Sequence, residues 1–430
     1  MKHLFFRFLG FIKDLQNKIA FYPAVFGLFG ILFAFIMMYL EEKGISKYLL
    51  EHAPFLVVQN GNTALVILSA FISGLISMIV FSFSMVMLLL SQASSNYSPR
   101  LLPGLISDKN HQIILGIYLA TILYCILILF SIQPTGDKYQ IPGFAVLLGI
   151  LGTIISISAF IYFIHTISQS IQINNILDRI YKSARRLLEN IIQKESENNP
   201  DFPSSKDWYE YHTEKSGYLQ DISASVLIDI CVREDIKLQI LPVKGQFILI
   251  GIPLFKSNKK LEETTVKKVL SSFDFARGEL VEDNYVLAFK QITEIIIKAM
   301  SPGINDPGTA INGIDYLTEL LSLRLKQKDV HIIGNNDKAY IMISTVKFED
   351  LLYNVMASIR TYCKHDIILI QKLLLMFKYL KTQNVKEQGY LDCIDTEVKT
   401  LLDDVKQMVT NQRDIDTALK MAKKLGLDIK

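Results

Sequence analysis

A row of serines marks the second of four apolar stretches in the sequence. Its members recur at intervals of three, four or seven residues, and they are Ser69, Ser73, Ser77, Ser84, Ser91, Ser95 and Ser98. On an α-helix, at 100° per residue, all seven fall within an arc of about 80°. Val80 and Met87 occupy apolar positions of the same face, and Ser82 lies on the opposite face. The spacing predicts one continuous hydroxyl face, called here the serine stripe.

Two interpretations of the serine stripe stay open. In one, the hydroxyls face water and Val80 or Met87 forms a hydrophobic constriction that gates by dewetting. In the other, the small serine side chains let two helices approach closely in lipid. Ala70 and Gly74, which are typical of such packing seams, lie off the stripe. The predicted pore-lining residues are Ser69, Ser73, Ser77, Val80, Ser84, Met87 and Ser91.

A second pattern is the turn Ser301–Ala310, with the sequence SPGINDPGTA. Asp306 followed by Pro307 predicts a helix start, because Asp caps the free amides and Pro fits the first turn. Gly303 and Asn305 tolerate a positive φ angle. One interpretation is therefore a structural turn between two helices.

The alternative for this turn is a small-ligand or cation site. Its candidate ligands are Asn305 and Asp306, together with Glu294 and Asp283. Such oxygen ligands suit a divalent cation, Ca²⁺ or Mg²⁺. The segment lacks the alternating acidic positions of an EF-hand loop, and we expect no other cofactor.

Four long stretches without charged residues frame these patterns. No Asp, Glu, Lys or Arg occurs within residues 19–40, 52–99, 110–136 or 139–177. Each stretch reaches the roughly 20 apolar residues that cross a bilayer. The predicted spans are Phe21–Tyr39, Thr63–Leu90, Ile113–Ile132 and Pro142–Ile167. The fold class is therefore an α-helical membrane domain with four transmembrane helices, followed by a mainly helical α+β region in the cytosol.

Loop charge predicts the orientation of the spans. Basic residues concentrate in the N-terminal segment, in the loop after the second span and after the fourth span. The positive-inside rule then places both termini in the cytosol. The segment 1–20 is amphipathic, with several phenylalanines, and is expected to lie on the membrane surface.

The pattern divides the chain into six parts. The membrane domain covers 21–171 and the second span is long enough to form one helix to Ser98. The fourth span is expected to continue into a helical stalk. The remaining predicted parts are the segment 1–20, the stalk 172–193, a linker 194–215, a small α/β module 216–260 with a hairpin around Lys244–Gln246, and a mainly helical domain 261–430 with a hairpin around Gly334–Asn336.

Charge and motifs exclude several functions. Residues 172–430 hold 36 basic and 36 acidic side chains, and a neutral region argues against binding to nucleic acid. The four cysteines show no paired spacing, so neither a disulfide framework nor a metal site is indicated. No nucleophile elbow, Walker loop or metalloprotease motif occurs, and we predict no catalytic residues.

Several of these segments resemble a known family. Leu90–Leu102, Phe163–His165, Ser216–Tyr218 and Ser301–Ala310 are similar, in order and spacing, to the family catalogued as domain of unknown function 2254. The resemblance implies a bacterial inner-membrane protein and implies no particular activity.

Two functions follow from these patterns. The first is an oligomeric channel or pore lined by the second span and controlled by the cytosolic domain, with the lipid bilayer and further copies of the chain as partners. The alternative is a membrane-anchored sensor or scaffold whose cytosolic domain binds a ligand or a partner protein. Oligomeric state discriminates between them, because one serine face cannot enclose a pore alone.

Overall fold

The structure is a computed structural model that describes residues 20–96, 109–132, 141–170, 172–194, 202–277, 284–335 and 338–424. It divides into two compact units, and the boundary between them in the sequence lies between Gln172 and Ile173. The first unit is called the membrane domain and the second the C-terminal domain. The predicted surface segment 1–20 falls almost entirely outside the described residues.

The membrane domain contains four helices that are long and apolar enough to cross a bilayer, as the sequence predicts. They are α1 (Phe21–Glu42), α3 (Gly61–Asn96), α4 (Lys109–Ser131) and α5 (Gly143–Ser170), with the short α2 (Ile45–His52) after the first. Helix α3 is unbroken over 36 residues. It would extend about 54 Å at 1.5 Å per residue, which exceeds the thickness of a hydrocarbon core.

Polar contacts fix the start of α5 against the rest of the membrane domain. The amide of Ala145 donates to Glu41 Oε1 at 2.9 Å, and the amide of Phe144 donates to Ser46 Oγ at 3.0 Å. The hydroxyl of Tyr124 on α4 donates to the Ala145 carbonyl at 2.8 Å. These bonds satisfy backbone groups that would otherwise be costly at a helix end buried from water.

The C-terminal domain combines helices with two small sheets. Its helices are α6 (Ile173–Lys194), α7 (Ala224–Glu234), α8 (Glu263–Leu270), α9 (Tyr285–Ala299), α10 (Pro307–Arg324), α11 (Phe348–Cys363), α12 (Ile367–Lys381), α13 (Gly389–Met408) and α14 (Gln412–Lys423). Its strands are β1 (Tyr209–His212), β2 (Gly217–Ile222), β3 (Leu238–Ile240), β4 (Phe247–Ile248), β5 (Pro253–Ser257), β6 (Phe273–Ala276), β7 (Val330–Asn335) and β8 (Lys338–Ser344).

The two sheets draw strands from distant parts of the chain. The larger sheet has the order β1-β5-β3-β8-β7, in which only β3 and β8 are parallel, and the smaller has the order β4-β2-β6. The strands therefore extend beyond the predicted module 216–260 on both sides. Strand β1 lies inside the predicted linker, where Tyr211 stacks on Phe255 with ring centroids 4.8 Å apart.

One predicted hairpin is observed and the other is only partly correct. Strands β7 and β8 pair as antiparallel neighbours, as the sequence predicts. Strands β3 and β5 also pair, but β4 between them joins the other sheet. The reason is the turn at Gly245, whose amide donates to the Leu219 carbonyl at 2.8 Å and so attaches this segment to β2.

The predicted stalk 172–193 coincides with one helix of the C-terminal domain. Helix α5 ends at Ser170 and a separate helix, α6, begins at Ile173. Helix α6 is amphipathic and packs within the C-terminal domain, where it buries Ile176, Leu177 and Leu188. Its Tyr181 hydroxyl donates to Glu319 on α10. The apolar residues that suggested a stalk thus serve the core of the second unit.

Candidate functional site

The serine stripe lies on the outward face of α3 within the membrane domain. All of its positions from Ser69 to Ser91 are exposed, and so are the two apolar positions between them. Val80 is 60% and Met87 is 51% exposed. Ser82, on the opposite face, is fully buried against the other helices. Packing among the described helices of the membrane domain therefore uses the side of α3 away from the stripe.

The stripe hydroxyls bond to their own helix. Ser73 and Ser77 donate to the carbonyls of Ser69 and Ser73, both at 3.0 Å, and Ser84 donates to the Val80 carbonyl at 2.9 Å. Each donor is satisfied four residues back, while the hydroxyl oxygen keeps a lone pair free to accept. At these three positions the face is thus polar and uncharged, and it presents acceptor oxygens whose own donors are already satisfied.

Two further small residues lie beside the stripe. Ala70 and Gly74 are exposed, and a Cβ atom at Gly74 would meet nothing within 4 Å. A second helix could approach the backbone here as closely as small residues allow in lipid. None of the described helices of the membrane domain packs on the stripe, so the packing interpretation needs a neighbour other than these helices.

The turn Ser301–Ala310 forms around the predicted helix cap. Asp306 accepts from the Thr309 amide at 3.1 Å and from the Thr309 hydroxyl at 2.6 Å. These two bonds lower the pKa of the Asp306 carboxyl. Asn305 has a φ angle of 49°, which lies in the left-handed region. Asparagine tolerates this conformation, as expected from the sequence of the turn. The local sequence thus accounts for the turn without a ligand.

Three of the four cation candidates lie among the described residues. Among the described residues, no group of three or more His, Cys, Asp or Glu side chains is placed to hold a metal ion. Asn305 is exposed on the turn, Glu294 is half-buried on α9 with an interaction of its own, and Asp283 lies outside the described residues. A cation at this turn remains a prediction of the sequence alone.

The cysteines are placed as structural residues. Cys231 and Cys363 are buried in the C-terminal domain, and burial raises the pKa of each thiol to about 12. A thiol with so high a pKa is not a nucleophile at neutral pH.

A buried polar cluster in the C-terminal domain has no counterpart in the sequence analysis. Arg324, at the end of α10, is fully buried and pairs with Asp329. Its guanidinium also donates to the Gln327 carbonyl at 2.9 Å and to the Val346 carbonyl at 2.8 Å. The Tyr390 hydroxyl donates to Asp329 Oδ1 at 2.9 Å. This arrangement is called here the Arg324 cluster.

Beside the Arg324 cluster lies a cavity of about 390 Å³. Its lining comes from α6, β2, the turn after β3, the start of α9 and the segments around β7 and β8, all within the C-terminal domain. Tyr285 and Gln327 take part in both features. No local sequence pattern could have predicted this cavity, because the residues that line it lie up to about 160 positions apart in the chain.

Known proteins resemble this chain over most of its length. The model of the family described as "Predicted membrane protein (DUF2254)" matches residues 16–379. Uncharacterized protein Mb1321c of Mycobacterium bovis and Uncharacterized protein Rv1290c of Mycobacterium tuberculosis are each 24% identical to it over 347 residues, which is 75% of this chain.

The aligned region covers 64% of the length of each of these relatives. No solved structure matches the chain. The family match spans the four apolar helices and most of the C-terminal domain, in agreement with the segments that carry the resemblance. The chain therefore belongs to the DUF2254 family of predicted membrane proteins.

Proposed function

We propose that the chain forms an oligomeric membrane channel, rather than an enzyme, with a pore lined by α3. The observation that carries the proposal is the orientation of the serines on this helix. Every stripe position from Ser69 to Ser91 is exposed on the single subunit, whereas Ser82 on the other face is fully buried. A face that only contacts lipid has no need of hydroxyls, since lipid tails offer them no partners.

The stripe has the properties of an uncharged pore wall. Its serine oxygens can accept hydrogen bonds from water, and it carries no acidic or basic ring. Val80 and Met87 project from the same face and would form the narrowest rings when several copies surround an axis. Stripping water from an ion at such a ring is costly, so these positions act as the gate.

The proposal places several copies of the chain in a bacterial inner membrane, with both termini in the cytosol. The distribution of Lys and Arg over the loops supports this orientation. One exposed face cannot enclose a water-filled path, and the small exposed residues Ala70 and Gly74 offer a place for close contact between copies. The C-terminal domain then faces the cytosol and is the natural site of control.

The alternative is a membrane-anchored sensor. The observation in its favour is the cavity beside the Arg324 cluster, which lies entirely within the C-terminal domain. In that case the stripe would contact lipid or a second copy, and the spans would serve only as an anchor. The two functions differ in the number of subunits and in ion flux.

The test begins with the mass of the detergent-solubilised particle. A ring of four or more subunits supports the channel, and a monomer rejects it. Reconstituted Val80→Ser protein should then raise ion flux into liposomes above the parent level, because the change makes one ring of the gate polar. Ile155→Ser on α5, also at an exposed position of 56%, is the matched control and should leave flux unchanged.

Ser82→Val is unsuitable as a control, because Ser82 is buried and a larger side chain there would disturb packing. A Val80→Ser protein that reconstitutes as well as the parent and yet passes no more ions than empty vesicles would reject the pore. The same holds if Ile155→Ser raises flux equally.

A further inference from the structure

We propose that an exposed turn of the C-terminal domain is a contact site for a second copy of the chain. The turn runs from Leu249 to Ile252, between β4 and β5, and is called here the apolar turn. Each copy inserts Ile250 into an apolar groove at the base of its partner's turn. The contact joins two C-terminal domains, so it does not rest on the pore proposed for α3.

The apolar turn exposes large side chains where turns usually carry polar residues. Leu249, Ile250 and Ile252 are between 47% and 65% exposed. Phe247, just before them, is about half exposed, and no Asp, Glu, Lys or Arg occurs from Gly245 to Phe255. At roughly 100 Å² for each half-exposed side chain, the four present an apolar patch of about 400 Å². Patches of this size on a domain surface are often interaction sites.

Hydrogen bonds hold the apolar turn in one conformation. The Ile252 amide donates to the Leu249 carbonyl at 3.2 Å, which closes the turn. Gly251 has a φ angle of 82°, a conformation that glycine adopts at the third position of such turns. The Ile250 amide donates to Ser216 Oγ at 3.0 Å and so attaches the tip to the rest of the domain. The exposed side chains are therefore presented by a fixed backbone, which lowers the entropy cost of binding a partner.

An apolar groove of about 410 Å³ lies at the base of the apolar turn. Apart from one glutamine, the described residues that line it are apolar, and they include Leu241 and Pro242 before the turn. Leu249 and Ile252 also line the groove, whereas Ile250 between them does not. A protruding side chain and a groove thus lie side by side on one surface. Two copies related by a twofold axis can exchange them, since such an interface uses the same patch on both copies.

The charges beside the patch favour a protein partner over an anionic lipid surface. Lys244, before the groove, pairs with Asp221 at 3.0 Å, and Lys256, after β5 begins, pairs with Glu210 at 2.8 Å. His212 lies opposite Pro253 in the sheet and is the histidine nearest the patch in this register. The two lysines are thus balanced by acidic partners. Attraction to anionic headgroups needs a surplus of basic residues, which this surface lacks.

Glu214 and Lys215 supply a reciprocal polar contact. Both are exposed on the segment between β1 and β2, directly before the Ser216 that holds Ile250. Neither forms an ion pair within the described parts of the chain. Across a twofold axis, Glu214 of each copy can face the partner's Lys215, because an isologous interface repeats every contact.

The area of the patch fits a contact between chains that share a membrane. Covering about 400 Å² on each copy buries about 800 Å² of apolar surface, less than the roughly 1,200 Å² of stable soluble complexes. The membrane spans hold both copies at one surface and so raise their effective concentration. The contact is therefore expected for full-length protein in a bilayer.

The test is cross-linking between two co-expressed forms of the full-length chain that carry different tags. One form has Ile250→Cys and the other Leu241→Cys, both with Cys393→Ser because Cys393 is the least buried native thiol. In membranes, a short bismaleimide should join the two tags in a product of two chains. Val232→Cys, at an exposed position of α7, replaces Leu241→Cys as the matched control. It should give at least about tenfold less product, since only the groove is held near the partner's turn.

Further substitutions in both forms connect the cross-link to the proposed interface. Leu249→Glu places a charge in the apolar contact and should reduce the product about tenfold at an unchanged melting temperature, because the side chain is exposed in the single chain. Val226→Glu on the exposed face of α7 is its control and should leave the yield unchanged. Glu214→Lys and Lys215→Glu should each reduce the yield about threefold, as expected for an exposed ion pair. Both changes together should restore it, since the pair is only reversed.

Four outcomes would overturn the inference. They are no product that joins the two tags, equal product from the Val232→Cys control, an unchanged yield with Leu249→Glu, or linkage of Ile250→Cys only to another protein. A fluorophore on Ile250→Cys that is quenched by lipid-borne quenchers, without linkage between tags, would assign the apolar turn to lipid instead. Ion flux plays no part in these measurements. A failed flux experiment with Val80→Ser therefore leaves this inference intact, and a particle of four or more subunits without the cross-link leaves the channel proposal intact.

Discussion

Gly30 on α1 packs directly on the backbone of Ala120 on α4. A Cβ atom at Gly30 would overlap the carbonyl oxygen, Cα and carbonyl carbon of Ala120, so no other residue fits without moving one of the two helices. Small residues allow such close approach between helices in lipid, where packing replaces the hydrophobic effect as the source of stability. Gly74 on α3, by contrast, has open space where its side chain would be.

The first prediction uses these two glycines as a matched pair. Gly30→Ala should destabilise the membrane domain by about 1–3 kcal/mol, because the added methyl group forces α1 and α4 apart. Gly74→Ala should not disturb the packing of the single chain, where the added methyl group meets nothing, and any loss of stability in this variant would report a contact between copies. The measurement is thermal unfolding of the full-length protein in detergent. Equal melting temperatures for Gly30→Ala and the parent would contradict the packing of α1 on α4.

The second prediction concerns the Arg324 cluster. Asp329→Asn keeps the shape of the side chain and removes the charge that balances the fully buried Arg324. An uncompensated buried cation should lower the free energy of unfolding by about 3–5 kcal/mol. Asp235→Asn is the control, because its pair with Lys259 lies on the surface, where water screens the two charges and the pair contributes little. Chemical denaturation gives the free energy of unfolding of each variant. A similar decrease in both variants would contradict a special role for the Arg324 cluster.

The third prediction concerns the cap at Asp306. Asp306→Ala should lower the free energy of unfolding by about 0.5–1 kcal/mol. This value lies in the lower part of the range for helix caps, because Asp306 is exposed to solvent. Asp306→Ser should recover most of that loss, since serine also caps. If Ca²⁺ or Mg²⁺ binds at this turn, either ion should raise the parent melting temperature and fail to raise that of Asp306→Ser. No shift in the parent would reject the cation.

The fourth prediction gives the pH dependence of the same cap. Hydrogen bonds from Thr309 lower the pKa of Asp306 below its ordinary value of 3.8. The carboxylate is therefore favoured in the folded state, and its contribution is present above that ordinary value and lost as pH falls through the lowered pKa. The stability difference between parent and Asp306→Ala should be constant near neutral pH and shrink in acid. A difference that grows on acidification would contradict this sign.

The fifth prediction concerns orientation. A cysteine at Tyr48, which is 61% exposed on α2, should react with an impermeant thiol reagent added outside intact cells, and one at Ser204 should not. Ser46 is unsuitable as a probe, because it is buried where it accepts from Phe144. Cys393 is replaced by serine first, since it is the least buried of the native thiols. Labelling at Ser204 alone would reverse the assigned topology.

Local features of the sequence determined the spans and the turn. Four stretches without charge predict four membrane helices, because a charged side chain in lipid is costly wherever it occurs in the span. The cap at Asp306 was equally predictable, since its bonds reach only to Thr309, three residues away. Helical periodicity also predicted that Ser82 would lie opposite the stripe, which its burial bears out.

Only the tertiary structure decided what each face and each buried polar group contacts. Periodicity placed the serines on one face of α3, but the packing of α4 and α5 determined that this face points outward. The Arg324 cluster, the pairing of β3 with β8 and the cavity each join residues far apart in the chain. The cost of burying a charge or leaving a hydroxyl unpaired depends on its neighbours in space, and spacing along a chain specifies those neighbours only within a few helical turns.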